Sequence, residues 1–164
     1  MRSNATDKQG ADKNSLRLIW ITIAVSTALA VYVSFNYYFP IAHFNFIKYI
    51  GLAIIFTGIL MRLIIIKSLG KFFTADVTIR QGHELKKDGF YKFLRHPSYF
   101  ASLLSFIGFA ISLNNLVSLL IVVAAILSAF INRIKVEERT LIDYFGQEYV
   151  DYKKTTKRLI PFVY

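Results

Sequence analysis

Two long stretches without a charged side chain dominate the chain, one between Arg17 and Lys48 and one between Arg95 and Arg133. A membrane-crossing helix needs about 20 mainly apolar residues, so the first stretch has room for one crossing and the second for two short ones. The first is predicted over residues 16–39, with Trp20 near one end and Tyr37 and Tyr38 near the other, where interfacial aromatics belong. Pro40 then breaks the helix. A second crossing is predicted over about 46–66, interrupted beyond Lys48 at its start only by Arg62, which is expected to snorkel to the interface in preference to facing a polar pocket. From Lys67 to Arg95 the chain is polar and punctuated by Gly70, Gly82 and Gly89. Pro97 suits the first turn of a third helix over 98–113, Asn114-Asn115 makes the turn, and a fourth helix covers 116–132. At about 16 residues, roughly 25 Å each, these last two are slightly short for a bilayer and read as a tight helical hairpin.

The expected fold is therefore all-α: a polytopic membrane protein of about four transmembrane helices, including a C-terminal helical hairpin. Helical and loop segments on one side form a pocket. A polar tail over 1–15 precedes a single membrane-embedded domain over 16–164, as 164 residues suit one domain. The first apolar span is too long for a cleavable signal and no small-residue cleavage site follows it. There is no internal repeat.

Charge fixes an orientation. All basic residues except Lys48 and Arg62, and all ten acidic ones, fall in the tail, the central loop or the C-terminal segment. In a four-span topology these share one side, so both termini and any charged chemistry are expected to be cytoplasmic. The net charge of +10 flanks apolar spans and does not pattern a soluble face, which points to anionic lipid headgroups and away from nucleic acid. A 55% hydrophobic composition agrees. With no cysteine, disulfides, thiolate catalysis and Cys-ligated metal sites are excluded.

Two segments are not explained by lipid burial. One runs from Gly89 through Arg95-His96-Pro97-Ser98-Tyr99; the other runs from Arg133 through Glu137-Glu138 to Phe145-Gly146-Gln147-Glu148-Tyr149, Tyr152 and Arg158-Leu159-Ile160-Pro161. Each has a plain reading. Arg133 and Glu137 are four apart and share a helix face, so they can pair for a few tenths of a kcal/mol. Glu138 reads as a solvated neighbour, Arg95 as a headgroup contact, His96 as an interfacial cap, Tyr91 and Tyr99 as belt aromatics, and His83 as a surface histidine.

Taken together, Arg95-His96-Pro97-Ser98-Tyr99 opening a hairpin, then Arg-x-x-x-Glu-Glu, Phe-Gly-x-x-Tyr-x-x-Tyr and Arg-x-Ile-Pro, resemble the isoprenylcysteine carboxyl methyltransferase family. The resemblance covers about Thr78 to Tyr164; the first two spans match only as hydrophobic helices, and wider members of the family have more spans. It implies S-adenosylmethionine as methyl donor, held by His83-Glu84-Leu85-Lys86, Tyr91, His96-Pro97-Ser98-Tyr99 and Glu137. It also implies a catalytic, substrate-facing role for Arg133, with no metal. One departure is Ala101, where the family usually carries glycine. The implied chemistry is simple. A sulfonium methyl is already activated, and a carboxylate is ionised at neutral pH. Catalysis is then alignment and removal of water, with an arginine fork holding the carboxylate. The expected acceptor is a lipophilic or lipidated carboxylate entering between helices from the lipid.

Three other readings compete. NADPH-dependent sterol reductases carry a similar Arg-His-Pro-x-Tyr signature, and the ending Arg158-Leu159-Ile160-Pro161-Phe162-Val163-Tyr164 has that character. Phospholipid N-methyltransferases would act on an amine, for which a carboxylate-binding arginine is the wrong partner. A non-enzymatic membrane scaffold would not need His96, Tyr99 and Glu137 in one place.

Overall fold

A computed structural model describes residues 13–44, 46–70 and 84–161. Among them the chain forms five α-helices: α1 (Lys13–Asn36), α2 (Ile47–Leu69), α3 (Pro97–Ser112), α4 (Leu116–Phe145) and α5 (Gln147–Thr155). Helices α1, α2 and α4 are each long and apolar enough to cross a membrane, while α3 is apolar but only 16 residues long. The apolar part of α4 ends at Asn132. At 30 residues, or roughly 45 Å, α4 outruns a hydrocarbon core of about 30 Å, and Arg133–Phe145 forms a charged extension beyond it.

Local sequence sets the ends of these helices. Pro97 occupies the first turn of α3. Asn115 caps α4, its side-chain oxygen accepting from the Ser118 N–H at 3.0 Å. Gly146, at φ +57°, turns the chain from α4 into α5, a conformation glycine adopts without steric penalty.

The helices pack as two antiparallel pairs joined through α3 and α4. In the α2–α3 pair the backbones nearly touch. A methyl group on Gly51 would lie 2.5 Å from the Ser112 nitrogen, and one on Gly58 would lie 2.7 Å from the Ala101 carbonyl oxygen. One on Gly108 would lie 2.7 Å from both the Gly51 oxygen and the Ile55 nitrogen. Small residues at Gly51, Gly58, Ala101, Ser105, Gly108 and Ser112 thus let two helices approach closely where lipid supplies no hydrophobic drive for association.

The α1–α4 pair is held differently. Ser118 donates to the Ala30 carbonyl at 2.7 Å near one end, and Arg133 donates to the Ser15 hydroxyl near the other. Between the pairs, Leu103, Ala110, Val122, Ile126, Phe130 and Ile134 form the core.

At the turn end of the α3–α4 hairpin, Asn114 stands at φ +48° and ties down the α1–α2 connection. Its side chain accepts from the Ile41 and Ala42 N–H groups at 3.1 Å and donates to the Ala42 carbonyl at 2.9 Å. Asn115 donates to the Tyr37 carbonyl at 2.7 Å. Arg62 departs from the expected snorkel: it turns toward α3 and donates to the Ser98 carbonyl at 3.1 Å and to the Ser102 hydroxyl. The open carbonyls and hydroxyls of the first turns of α3 offer an arginine more than lipid does.

Candidate active site

The start of α3 and the charged extension of α4 meet at the end of the bundle opposite the Asn114 turn. Tyr99 donates to Glu137 Oε2 at 3.0 Å, and its ring packs edge-on against Phe130. Arg133 lies close enough to the Tyr99 hydroxyl for its charge to act on it. Arg133 itself is 1% exposed and bonds Ser15. His96, 3% exposed, sits between two carboxylates, with Nδ1 3.7 Å from Glu137 Oε1 and Nε2 3.4 Å from Glu138 Oε1. Neither nitrogen caps α3. Nε2 has ion-pair proximity to Glu138 without hydrogen-bond alignment.

Glu138 is not the solvated neighbour that its charge suggested. Its side chain is 4% exposed and its two oxygens are spent on arginines: Oε1 accepts from Arg95 Nε at 2.8 Å, and Oε2 lies 2.9 Å from Arg158. Lys153 adds a longer contact at 3.8 Å. Burial alone would raise the Glu138 carboxyl, but the close His96 imidazole and the hydrogen bond and charge of Arg95 outweigh it and hold it well below the usual carboxylate range. Arg95 is likewise drawn inward from the headgroup position expected for it. Its guanidinium donates to the Thr156 and Lys153 carbonyls as well as to Glu138.

Backbone pairing locks the same region. Leu94 and Lys157 form a parallel bridge: Lys157 N–H donates to the Phe93 carbonyl at 3.0 Å and Arg95 N–H to the Lys157 carbonyl at 2.9 Å. His96 N–H continues the series to the Arg158 carbonyl at 3.2 Å. The residues after α5 therefore strap the entry to α3 against α4. Tyr152 donates to the Tyr91 carbonyl at 2.5 Å, and exposed Lys87 pairs with Glu148 at 2.6 Å, tying the segment before α3 to α5 as well.

Several of the residues named from the sequence come together here. His96, Tyr99, Glu137 and Arg133 form one cluster, with Pro97 and Ser98 beneath it in the first turn of α3. Tyr91 is close enough to join them: burial, with the Glu137 charge adding to it, raises its phenol above the ordinary value. Leu85 and Lys86 are partly buried in an irregular segment, Glu84 is exposed, and Lys86 pairs with Asp88 at 2.9 Å. His83 lies outside the described residues. Sequence reasoning missed Ser15 and the Arg95–Glu138–Arg158 node, and it ranked the inward orientation of Arg62 second to snorkelling. Tyr149 was quoted as part of a motif, but its burial was not foreseen: it is 1% exposed, its hydroxyl has no hydrogen-bond partner among the described residues, and burial with the charges of Glu138 and Glu137 raises its phenol.

The site thus offers a half-exposed carboxylate, an imidazole, a phenol and a buried guanidinium within one small volume. That set suits a ligand with both hydrogen-bond donors and a carboxylate. Among the described residues no cluster of metal-ligating side chains occurs.

Comparison with known proteins gives a consistent picture. The model of the isoprenylcysteine carboxyl methyltransferase (ICMT) family matches residues 49–143. Protein-S-isoprenylcysteine O-methyltransferase B of Arabidopsis thaliana is 30% identical over 161 residues, covering 94% of this chain and 82% of that protein. The Saccharomyces cerevisiae protein-S-isoprenylcysteine O-methyltransferase is 34% identical over 116 residues, 70% of this chain and 48% of the yeast protein. The solved structure of the eukaryotic intramembrane Ras methyltransferase ICMT superposes with a TM-score of 0.68 at 27% identity, covering 91% of this chain and 51% of that one. The chain spans about half the length of the latter two.

Proposed function

The chain belongs to the isoprenylcysteine carboxyl methyltransferase family, and we propose that it methylates the carboxylate of a lipophilic acceptor, an S-isoprenylcysteine first of all, using S-adenosylmethionine. The observation that carries this reading is the meeting of Tyr99 and Glu137 at 3.0 Å beside His96, two sequence segments joined into one polar cluster at the edge of the apolar helices.

The residues present fit that cofactor. Glu137 can accept from hydroxyl or ammonium donors, and the Tyr149 hydroxyl is a buried polar atom lacking a partner among the described residues. His83, Glu84, Leu85, Lys86, Tyr91, His96, Pro97, Ser98, Tyr99 and Glu137 would form its binding site. When bound, the cofactor supplies a methyl group already activated on a sulfonium. The chain's own contribution is positional. Tyr99 and His96 orient the Glu137 carboxylate from two sides. Arg133, buried beside Tyr99, holds the acceptor carboxylate by a two-pronged set of N–H donors. The surrounding apolar side chains exclude water, leaving the carboxylate poorly solvated and more reactive. No general base is needed, because the nucleophile is already ionised at neutral pH.

The excess of basic residues at the site end supports a cytoplasmic position for that end and for both termini by the positive-inside rule. The acceptor's apolar tail would lie among the helices, with its carboxylate at the site mouth.

The test is calorimetry of the detergent-purified chain with S-adenosylmethionine, joined to methyl transfer onto N-acetyl-S-farnesylcysteine. Binding and turnover are expected, both lost in Glu137→Ala. Binding of NADPH in place of S-adenosylmethionine would overturn the reading.

A further inference from the structure

The family model begins at residue 49, so nothing in it assigns α1 a part in the site. The structure nonetheless places the first turns of α1 against Arg133. Ser15 lies near the start of α1, and its hydroxyl accepts from an Nη1 hydrogen of Arg133 across a sequence separation of 118 residues. The contact follows from the antiparallel pairing of α1 with α4, whose other end is fixed by Ser118 on Ala30. Ile19, 8% exposed and one turn on from Ser15, packs into the core and holds this end of α1 in place.

We infer that Ser15 is a positioning residue for Arg133 and so sets affinity for the acceptor carboxylate; the inference rests on the methyltransferase reading of Arg133. An arginine side chain has several rotatable bonds, and a fork that binds a carboxylate through two parallel bonds must be held in one plane. Ser15 fixes Nη1 from α1, while the Tyr99 hydroxyl on α3 lies close enough to feel the guanidinium charge. The Ser15 anchor restricts the fork before the acceptor arrives, and preorganisation of this kind raises affinity by removing part of the ordering loss on binding. Without the Ser15 hydroxyl the guanidinium keeps its charge and burial, but this anchor is gone. The defect should then fall on the carboxylate and spare S-adenosylmethionine, whose partners are on the Glu137 side.

The test compares wild type, Ser15→Ala and Ser15→Thr as full chains in detergent. The first readout is equilibrium binding of N-acetyl-S-farnesylcysteine against its methyl ester. Wild type should prefer the free acid, Ser15→Ala should lose about tenfold of that preference, and Ser15→Thr, which keeps the hydroxyl, should restore it. The second readout is turnover: Ser15→Ala should raise KM for the acceptor by a similar factor with kcat within about twofold. S-adenosylmethionine affinity should be unchanged, which also reports an intact fold. An acid preference that survives Ser15→Ala, or an equal loss of cofactor affinity, overturns the inference. If wild type prefers the acid through Ser15 yet transfers no methyl group, the proposed reaction fails while the positioning role stands.

Discussion

Glu137 and Glu138, adjacent in sequence, place their carboxylates on opposite sides of the His96 imidazole, Glu137 3.7 Å from Nδ1 and Glu138 3.4 Å from Nε2. They differ in surroundings: the Glu137 side chain is 30% exposed and that of Glu138 is 4% exposed between Arg95 and Arg158. One is available to a ligand and the other is consumed by the protein.

Substitution should separate these roles. Glu138→Gln removes the anion shared by the buried Arg95 side chain and the partly exposed Arg158, and breaking a buried pair from one side destabilises by about 3 kcal/mol. The apparent Tm in detergent should fall on the order of 10 °C. Glu137→Gln should leave Tm within a few degrees, by roughly the loss of one hydrogen bond, while removing most S-adenosylmethionine affinity. Equal Tm losses in the two variants would refute the division.

Acid should act through the same node. The folded-state pKa of Glu138 lies below the 4.5 of an ordinary glutamate, so its contribution to stability is complete above that value and is lost as pH falls below it. Wild-type Tm should therefore drop between about pH 5 and pH 3 more steeply than that of Glu138→Gln, which lacks the group. Parallel Tm–pH curves for the two proteins would contradict this.

Tyr99→Phe removes the hydroxyl that donates to Glu137 and lies near Arg133, and keeps the ring against Phe130. Both S-adenosylmethionine affinity and acceptor KM should worsen by about tenfold, measured by calorimetry and steady-state kinetics. This double effect would distinguish Tyr99 from Ser15, where only the acceptor side should change.

Gly108→Ala should be poorly tolerated. Its methyl would meet two backbone atoms of α2 at 2.7 Å, and backbone cannot yield as a side-chain tip can. Loss of folded protein, or a marked fall in Tm by fluorescence-detected gel filtration, is expected. Ala28→Leu, on the exposed face of α1, should have little effect.

The helices were legible in the sequence because lipid imposes a hydropathy rule on every crossing segment, and the Tyr99–Glu137 meeting was legible through motif order. The buried node was not, because Arg158 reaches Glu138 only after α5 and a backbone bridge fold the chain back, and no local periodicity encodes that return. A usable signal did exist for Glu138. It continues the four-residue spacing of Ile126, Phe130 and Ile134, all buried, and so stands on the core face of α4. The spacing of Gly51, Gly58, Ala101, Ser105, Gly108 and Ser112 likewise marked the α2–α3 seam. Arg62 and Ser15 left no such trace, since their partners lie on other helices.

The strap between residues 93–95 and 157–158 bears on how the protein is made. A chain leaving the ribosome presents Arg95 first, Glu138 much later and Arg158 twenty residues after that. The apolar helices can enter the bilayer as they emerge, but the acid held between two arginines is complete only when the last partner arrives. Assembly of the polar end is therefore a late step in biogenesis, and translation stalled before Arg158 would yield an inserted bundle with an unfinished site.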